Sequence, residues 1–351
     1  MAVPPAAFHR GSPFPRMNPA RLDQILTQAR AKRVLVLGDL MLDEFVWGKV
    51  GRISPEAPVP VVEVTRENSY PGGAANVARN LREFIGQTSV IGLLGNDRGG
   101  HELRRLLSAE GIETAGLIED PEFPTIVKTR IIARQQQVVR VDREQMKAPG
   151  ADQITQVVET VRQRLPEIDA IILEDYGKGF LATTLVEQVC EMAHAAGKII
   201  TVDPNPHHPL AWRNVTAVKP NRAEAFHAAG LPLSDPVEPA QDDAALARAG
   251  ASLLEKWDTR YLLITLGEQG MMLFERGAGP HHIPTKARQV FDVSGAGDTA
   301  IALFTLALIC GASAAEAAEI ANHASAVVVG KLGTATVTPE ELRASFENDV
   351  A

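Results

Sequence analysis

The chain has 351 residues, of which 45% are hydrophobic and 22% charged, a composition typical of a globular protein with a sizeable core. Its net charge of −8 argues against binding to nucleic acid, whose phosphates require a basic surface. Cys190 and Cys310 both stand in apolar helical patterns, so we expect two buried thiols in a cytoplasmic protein rather than a disulfide or a metal site.

The chain begins with a segment that lacks a folding pattern. Residues 1–17 contain four prolines and no continuous apolar run of the kind found in signal peptides, which predicts a disordered tail. The most apolar stretch of the chain, at 300–310, is shorter than the ~20 residues that span a bilayer. We therefore expect one folded domain at 18–351 and no membrane association.

The next segments predict two kinds of strand. VLVLG at 34–38 is a short apolar run, as expected of a strand buried in a parallel sheet. The segments at 58–64, 125–133 and 137–142 are instead rich in valine or isoleucine and carry prolines or arginines. Because such strands suit a sheet edge or a small separate sheet, we predict a β lid with strands from about 44–65 and 125–142.

From about residue 70 the pattern alternates between helices and apolar strands. Helices are predicted at 74–85, 98–110, 152–164, 181–196 and from Asn221 onward, and strands at 89–95, 170–174, 199–203, 216–220, 261–267 and 270–274. Three helices follow at 296–310, 314–331 and 339–348, two of them with capping boxes, Ser313 with Glu316 and Thr338 with Glu341. The alternation predicts an α/β fold with a mostly parallel sheet, which binds ligands at the carboxyl ends of its strands.

The stretch SGAGDTA places small residues directly before a long apolar helix. It also fits the dinucleotide-binding fingerprint G-x-G-x-x-A, but the strand and acidic residue that should follow fall in an alanine-rich helix. The backbone N–H groups of Gly295, Ala296 and Gly297 instead favour an anion hole at the helix N-terminus. Asp298 beside them could take a proton from an attacking hydroxyl during phosphoryl transfer. The alternative is that Asp298 only stabilises the first helical turn electrostatically.

Two earlier clusters suit a polyol. In PGGAANVARNL, Gly72 and Gly73 open a helix where backbone can approach a ligand closely, and Asn76 offers a donor and an acceptor. In GDLMLDEF, Asp39 and Asp43 follow the first strand, where carboxylates suit sugar hydroxyls. The alternative for these two carboxylates is a helix cap or a surface charge.

A third cluster suits a metal ion and a nucleotide. In KPNRAEA, Asn221 and Glu224 lie one turn apart, and an acid beside a phosphate site usually acts on magnesium through water. The alternative is an asparagine cap with a surface glutamate. In TLGEQG, the glycines Gly267 and Gly270 follow a strand and could let backbone contact a nucleotide.

Together these motifs resemble the ribokinase-like (PfkB) carbohydrate kinases over about residues 33–335. The family's diglycine signature matches Gly72, Gly73 and Asn76, its D-x-x-G-A-G-D signature matches 292–298, and its N-x-x-E motif matches Asn221 and Glu224. The sequence contains no G-x-x-x-x-G-K-[ST] P-loop, so a P-loop kinase is excluded. The resemblance implies a three-layer α/β sandwich with a small β lid, and an ATP-dependent sugar kinase.

The resemblance also implies a role for each matching residue. It implies that Asp298 is the general base and that Gly295–Gly297 form the anion hole. The residues implied to contact the sugar are Asp43, Gly72, Gly73 and Asn76. Those implied to lie near the nucleotide are Thr265, Gly267 and Asn322, with Mg²⁺ near Glu224. A site for a monovalent cation such as K⁺ would use Asp292, Ser294 and carbonyl groups around 330–333.

Within the family, GDLMLDEFVWGKVGRISPEAPVPVVEV, PGGAANVARNL and EDYGKG are similar to the D-glycero-β-D-manno-heptose-7-phosphate kinases. That similarity implies phosphorylation at C1 in the synthesis of ADP-heptose for lipopolysaccharide, and it adds Glu174 to the substrate site. No H-x-G-H nucleotidyltransferase motif occurs, which predicts the form with a single function. The alternatives are a kinase for another sugar or a nucleoside, and a silent sugar-binding regulator, against which the intact Asp298 argues.

A phosphate already present on the substrate would need fixed cations. Lys178, after a predicted strand, is our first candidate; Arg140 and Arg134 of the lid come next, with Lys49 and Arg52 as outer alternatives. The other interpretation is that these charges only solvate the lid. The exposed edges of valine-rich lid strands further predict a homodimer, since free strand edges are usually covered.

Overall fold

The computed structural model describes residues 17–133, 136–287 and 289–350. The predicted disordered tail therefore lies outside the described residues, apart from Met17, whose side chain is buried. The described chain begins with helix α1 (Pro19–Ala29), whose first turn is capped by the side chain of Asn18.

The strands and the other helices follow the alternation that the sequence predicts. The strands are β1 (Arg33–Gly38), β2 (Leu40–Ile53), β3 (Pro60–Gly73), β4 (Gln87–Gly95), β5 (Leu117–Asp120), β6 (Val127–Ala133), β7 (Gln136–Arg143), β8 (Ala170–Glu174), β9 (Ile199–Asp203), β10 (Ala217–Val218), β11 (Tyr261–Thr265), β12 (Met271–Glu275) and β13 (His281–Ile283). The helices are α2 (Ala74–Arg82), α3 (Arg98–Ala109), α4 (Ala151–Arg164), α5 (Thr183–Ala195), α6 (Arg222–Ala228), α7 (Ala244–Lys256), α8 (Ala296–Ile309), α9 (Ala314–Val329) and α10 (Pro339–Val350).

Within the described residues, nine strands form the main sheet in the order β13-β12-β11-β10-β9-β8-β1-β4-β5. Neighbours from β11 to β5 are parallel, while β12 and β13 add an antiparallel edge. The prediction of a mostly parallel sheet is confirmed. The carboxyl ends of its parallel strands meet at one edge, which collects the loops that follow β1, β8, β9, β10 and β11.

Helices cover both faces of the main sheet and make three layers. Val34 and Val36 of β1 belong to one hydrophobic core, and Leu35 and Leu37 belong to the other. Both faces of β1 are therefore buried, which explains its unbroken apolar run. Helix α8 is buried from Asp298 to Leu308, because it lies inside the first of these cores, where it packs against α9.

A second, smaller sheet forms from the segments predicted as the lid, in the order β3-β2-β6-β7. β2 pairs antiparallel with β3 and parallel with β6, and β6 pairs antiparallel with β7. The prediction of a small sheet is confirmed, but β2 is a continuous strand of 14 residues that starts directly after Asp39. Its pattern of apolar and charged residues does not alternate regularly, because its base is buried and its far end is exposed.

Several elements were not predicted from the sequence, namely α1, α7, β5 and β13. The buried face of α7 consists of Leu246, Ala249, Gly250 and Leu253. The strand predicted at 216–220 pairs only at Ala217–Val218. Cys190 and Cys310 are free and buried, as predicted. Across the described helices, none combines the length and the apolar character that crossing a membrane demands.

Candidate active site

A cavity of about 580 Å³ opens at the carboxyl ends of β8, β9, β10 and β11. It collects several residues that the sequence assigns to the site, namely Glu174, Asn221, Glu224, Thr265, Gly267, Gly295, Gly297 and Asp298. A larger cavity of about 1070 Å³ lies at the amino ends of β9, β10 and β11 and is lined by none of the predicted site residues. The smaller cavity is therefore the candidate active site.

Asp298 stands in the first turn of α8 and is 5% exposed. Its Oδ2 accepts a hydrogen bond from Nδ2 of Asn76 at 2.7 Å, and its Oδ1 accepts one from the hydroxyl of Tyr176 at 2.7 Å. Asn76 is fully buried, so its amide orients the carboxylate; the sequence had assigned it to the sugar. Two donors from distant segments thus hold Asp298 at the cavity wall.

The turn before α8 explains why glycine precedes Asp298. Gly295 caps the helix with a φ of 79°, in the left-handed region, and a Cβ there would lie 2.8 Å from Nδ2 of Asn76. The first N–H to be bonded within the helix is that of Thr299, to the carbonyl of Gly295 at 2.9 Å. The N–H of Ala296 donates to the carbonyl of Val293, so among the described residues the open donors of this turn belong to Gly295, Gly297 and Asp298. An anion can bind there.

The environment of Asp298 raises the pKa of its carboxyl group above the usual value. Burial raises the pKa of Asp298 to about 6, against the hydrogen bonds from Asn76 and Tyr176, which lower it; Asp203 adds to the rise and Lys219 opposes it. Burial also raises the pKa of the Tyr176 hydroxyl well above its usual value, with a further contribution from Asp298. Tyr176 is therefore a hydrogen-bond donor to Asp298 at neutral pH.

A buried ion pair lies beside Asp298. Nζ of Lys219 is 2.7 Å from Oδ2 of Asp203, and a Cβ on Gly297 would be 3.5 Å from that Nζ. Burial would lower the pKa of Lys219, but the carboxylates of Asp203 and Glu174 outweigh it, so the pKa is raised. The ammonium group therefore stays charged next to the anion hole, where it can attract phosphate.

Glu174 ends β8 and is 1% exposed. Carboxylate oxygens of Glu174, Asp203 and Asp298 lie within 4.8 Å of one another, and Oε2 of Glu174 has no hydrogen-bond partner among the described residues. Burial and the charge of Asp203 raise the pKa of Glu174 well above its usual value. Three carboxyl groups this close together repel one another when all are ionised. They are stabilised by sharing a proton or by binding a cation.

Asp39 is held by the turn that follows β8. Its carboxylate accepts backbone hydrogen bonds from Tyr176 at 3.0 Å, Lys178 at 2.9 Å and Phe180 at 3.2 Å. Because both oxygens are occupied and the residue is 2% exposed, Asp39 shapes the turn after β8. These bonds explain how Tyr176 is aimed at Asp298, and the predicted contact of Asp39 with a sugar stays a prediction.

Asp43 lies in β2 and is buried. It pairs with the guanidinium group of Arg130 in β6, which also stacks over Phe45 at 5.3 Å. A Cβ on Gly72 would lie 2.2 Å from Oδ2 of Asp43, so only glycine fits there, and Gly73 has a φ of 60° where α2 begins. Gly72 thus leaves room for the carboxylate of Asp43 between β2 and β3.

On the other side of Asp298, Asn221 and Glu224 form a capping box at the start of α6. The Asn221 side chain accepts from the N–H of Glu224 at 2.9 Å, and Oε2 of Glu224 accepts from the N–H of Asn221 at 2.7 Å. Both residues also line the cavity with Thr265 and Gly267. The helix cap and a ligand role are therefore compatible, since each side chain keeps a polar atom for the cavity.

Gly270 and Asn322 lie outside this cavity. A Cβ on Gly270 would lie 2.1 Å from the carbonyl oxygen of Ile283, and Nδ2 of Asn322 donates to the carbonyl of Pro284 at 2.7 Å. Both residues contact the segment that follows β13. Their predicted contact with a nucleotide stays a prediction.

The predicted cation loop is ordered by Asp292. Its carboxylate accepts from the N–H of Ser294 at 2.9 Å and from the N–H of Gly333 at 3.1 Å. These bonds join the turn before α8 to the loop after α9, as the prediction of a shared cation site requires.

The cations predicted for a substrate phosphate are paired with carboxylates. Lys178 is 2.8 Å from Glu144, and Arg140, half exposed on β7, is 2.9 Å from Asp142. Arg134 lies outside the described residues. Lys178, in the turn after β8, and Arg140, on β7, are therefore each paired with a carboxylate at the end of β7 or just after it.

Four functional candidates were not predicted from the sequence, namely Tyr176, Asp203, Lys219 and Lys128. A signal existed for the first three, because Tyr176 and Asp203 follow or end parallel strands and Lys219 stands in the KPN stretch. No local pattern indicates that a tyrosine hydroxyl will bind a carboxylate 122 residues away.

The family model for pfkB carbohydrate kinases matches residues 31–341. The chain is 43% identical over 316 residues to the bifunctional protein HldE of Desulfatibacillum aliphaticivorans, an alignment that covers 90% of this chain and 63% of that protein. It is also 43% identical over 330 residues to the bifunctional protein HldE of Geobacter metallireducens. This alignment covers 94% of this chain and 66% of that protein. The chain thus spans just under two thirds of the length of these relatives.

Solved structures share the fold. The ribokinase of Arabidopsis thaliana complexed with ribose and ATP has a TM-score of 0.68 and 18% identity, and the match covers 90% of this chain and 99% of that one. Phosphofructokinase-2 of Escherichia coli in complex with potassium has a TM-score of 0.73 and 19% identity. That match covers 91% of this chain and 99% of the phosphofructokinase chain. The three-layer sandwich with its small sheet is therefore ribokinase-like.

Proposed function

Because the chain belongs to the pfkB family of carbohydrate kinases, we propose that this sugar kinase phosphorylates D-glycero-β-D-manno-heptose 7-phosphate at C1, with ATP as the donor. The relatives named HldE and the motifs shared with heptose-7-phosphate kinases support this acceptor. The observation that carries the chemistry is the buried carboxylate of Asp298, held by two donors at the start of α8.

The proposed reaction uses Asp298 as the general base. Asp298 takes the proton of the C1 hydroxyl as the hydroxyl oxygen forms a bond to the γ-phosphorus, and the bond to the bridging oxygen breaks to release ADP. The N–H groups of Gly297 and Asp298 and the ammonium group of Lys219 stabilise the charge on the transferred group. The nucleotide lies along Asn221, Thr265 and Gly267, and the sugar lies toward Asp43.

The donor set fits a magnesium ion. One oxygen of Glu224 is used by the capping box, and its second oxygen faces a cavity that also holds the carboxylates of Asp203 and Glu174. Hard oxygen ligands of this kind suit Mg²⁺, which usually keeps several waters. When bound, the ion would neutralise charge on the phosphates of ATP. A monovalent cation such as K⁺ is proposed at Asp292 and Ser294, whose loop is ordered by the bond to Gly333.

The remaining features of the proposal are a folded kinase domain at 18–351, a homodimer formed through the lid, and a cytoplasmic location. The last fits the free thiols of Cys190 and Cys310, since the cytoplasm keeps thiols reduced and supplies ATP.

The test of this function is a screen of acceptors by ADP release. Heptose 7-phosphate, its unphosphorylated form, hexose 6-phosphates, ribose and nucleosides are each offered with Mg-ATP, and the product position is read by phosphorus NMR. We expect the highest kcat/KM for heptose 7-phosphate with the new phosphate on C1. Preference for another acceptor would overturn the assignment.

The matched variant for this screen is Asp298→Asn, which keeps the size of the side chain and removes the base. Its kcat should fall by about 10²- to 10⁴-fold with the fold intact by circular dichroism. Retention of more than about a third of kcat would refute the role of Asp298.

A further inference from the structure

The lid has one face whose charges are ordered by strand register. Successive side chains of a strand point to opposite faces, and paired residues of neighbouring strands share a face. The pairing of β2, β6 and β7 therefore places on one face Asp43, Phe45, Lys128, Arg130, Arg140 and Asp142. We name this the inner face of the lid.

The inner face is turned toward the candidate active site. A Cβ on Gly333 would lie 3.8 Å from the ring of Phe45. The N–H of Gly333 donates a hydrogen bond to Asp292, in the turn before Asp298. Tyr70, paired with Asp43, lies against Arg79 of α2 at 5.8 Å. These contacts fix the base of the inner face beside the helix that carries Asn76.

A continuous row of ion pairs crosses this face and reaches the main sheet. Lys178, in the turn after β8, is 2.8 Å from Glu144; Lys128 is 3.0 Å from Glu144 and 3.0 Å from Asp142; Arg140 is 2.9 Å from Asp142. We call these five residues the lid row. Its three cations and two carboxylates leave one positive charge in excess.

The lid row begins close to Asp298, the proposed general base. The backbone N–H of Lys178 donates to Asp39 at 2.9 Å, in the same turn from which Tyr176 donates to Asp298. Lys128, at the centre of the row, is 14% exposed, and its two ion pairs leave an ammonium proton for a third partner. Cations held in place by carboxylates are pre-organised for an incoming anion, because little side-chain entropy is left to lose.

The position of the row distinguishes the acceptor from ATP. Thr265 and Gly267 follow β11, and β11 is separated from β8 by β9 and β10. At about 4.8 Å between neighbouring strands, the proposed nucleotide site is roughly 14 Å from the turn that holds Lys178. Asp298, hydrogen-bonded to the Tyr176 hydroxyl of that turn, lines the cavity between them, so the row lies on the acceptor side.

We infer that the lid row binds the phosphate that the acceptor sugar already carries, with Lys128 as its central ligand. This rests on the proposed sugar-phosphate kinase activity. A phosphate monoester carries a charge of about −1.5 to −2 at pH 7, and it meets the excess positive charge and the open donors of Lys128, Lys178 and Arg140. A row that served only to solvate the lid would not need to start two residues from Tyr176 or to hold its lysines partly buried.

The test compares two acceptors, heptose 7-phosphate and the same heptose without phosphate. Lys128→Met keeps the aliphatic stem and removes the charge. We expect its KM for heptose 7-phosphate to rise about 10- to 100-fold, with kcat within about threefold of wild type and the KM for the unphosphorylated heptose within about twofold. An equal rise in KM for both acceptors, or no rise, would overturn the inference.

A matched pair on one strand guards against a folding artefact. Arg140→Gln removes an inner-face cation of β7, and Arg143→Gln removes an exposed arginine of the same strand whose side chain points to the other face. We expect Arg140→Gln to raise the KM for the phosphorylated acceptor selectively and Arg143→Gln to leave it unchanged. Equal effects of the two variants would contradict a subsite on the inner face.

The two proposals fail separately in this design. If wild-type protein prefers an unphosphorylated sugar, the proposed function is wrong and the row has no phosphate to bind. If wild-type protein prefers heptose 7-phosphate but Lys128→Met and Arg140→Gln do not discriminate between the acceptors, the function stands and the lid row is wrong.

Discussion

The chemistry of Asp298 is set by two donors that come from other parts of the chain. Burial raises the pKa of this carboxyl to about 6, and the hydrogen bonds from Asn76 and Tyr176 lower it against that rise. A group with that pKa is charged at pH 7 and still basic enough to accept a proton in the transition state. Tyr176 is therefore a positioning residue that also tunes the base.

The first prediction concerns the pH dependence of this base. A base must be deprotonated to act, so kcat/KM should rise with pH through an apparent pKa near 6 and then level off. Tyr176→Phe removes a bond that lowers the pKa of Asp298, and the rising limb should move about one unit toward higher pH. The measurement is kcat/KM between pH 5 and 9.

Tyr261→Phe is the control for this profile, because Tyr261 starts β11 at the opposite end of the strands. The rising limb of the kcat/KM profile of Tyr261→Phe should coincide with that of the wild-type protein. A Tyr176→Phe limb that does not move would mean that another group near pH 6, such as Asp203, sets the profile.

Among the elements, α6 combines a structural and a ligand role in one short helix of seven residues. Its N-terminus faces the cavity, and its capping box consists of the two residues that the family motif assigns to metal and nucleotide. The helix cap thereby orients the carboxylate of Glu224, since the reciprocal bonds hold it against the backbone. The sequence could not choose between a cap and a ligand, and the structure allows both.

Two variants of Glu224 separate these roles. Glu224→Gln keeps a side chain that can complete a capping box and removes the charge, so thermal stability should hold while the Mg²⁺ concentration for half-maximal activity rises about tenfold. Glu224→Ala should show the same metal effect and lose about 0.5–2 kcal/mol of unfolding free energy in urea.

Glu316→Gln provides the comparison, because Glu316 completes the capping box of α9 away from the cavity. It should leave the magnesium requirement unchanged. A normal magnesium requirement in Glu224→Gln would show that the carboxylate serves the helix alone.

At the scale of the whole molecule, the lid presents strand edges and an outer apolar surface. β3 and β7 are the edges of the small sheet, and Val139 and Val141 of β7 are 46% and 44% exposed on the face opposite the lid row. Edges and apolar surfaces of this kind are usually covered. A second copy of the lid would cover both and would leave the inner face to the substrate.

We therefore expect a homodimer in sedimentation equilibrium at micromolar protein. Val139→Lys places a charge on the outer face and should shift the protein to monomer, whereas Val237→Lys, at an exposed valine between α6 and α7, should not. A monomeric wild-type protein, or a dimer that survives Val139→Lys, would contradict an interface through the lid.

The layered α/β fold and many of the residues that line the cavity could be predicted from the sequence. The apolar run of β1 and the periods of α8 and α9 are encoded in consecutive residues, which is why they could be predicted. The rule that parallel strands end at one edge then brought Asn221 and Thr265 to the cavity that Asp298 also lines. Capping boxes such as Ser313 with Glu316 were predicted because both partners lie within one turn.

The pairing of polar groups, in contrast, depends on the folded arrangement of distant segments. The carboxylate of Asp39 accepts hydrogen bonds from the turn after β8, and Asp298 is bound by residues 222 and 122 positions away. The lid row depends on the register of β6 with β7 and on the approach of Lys178 to Glu144, neither of which a local pattern encodes. Hydrogen bonds and ion pairs act over a few ångströms in space, so they become readable only once the strand order has brought distant segments together.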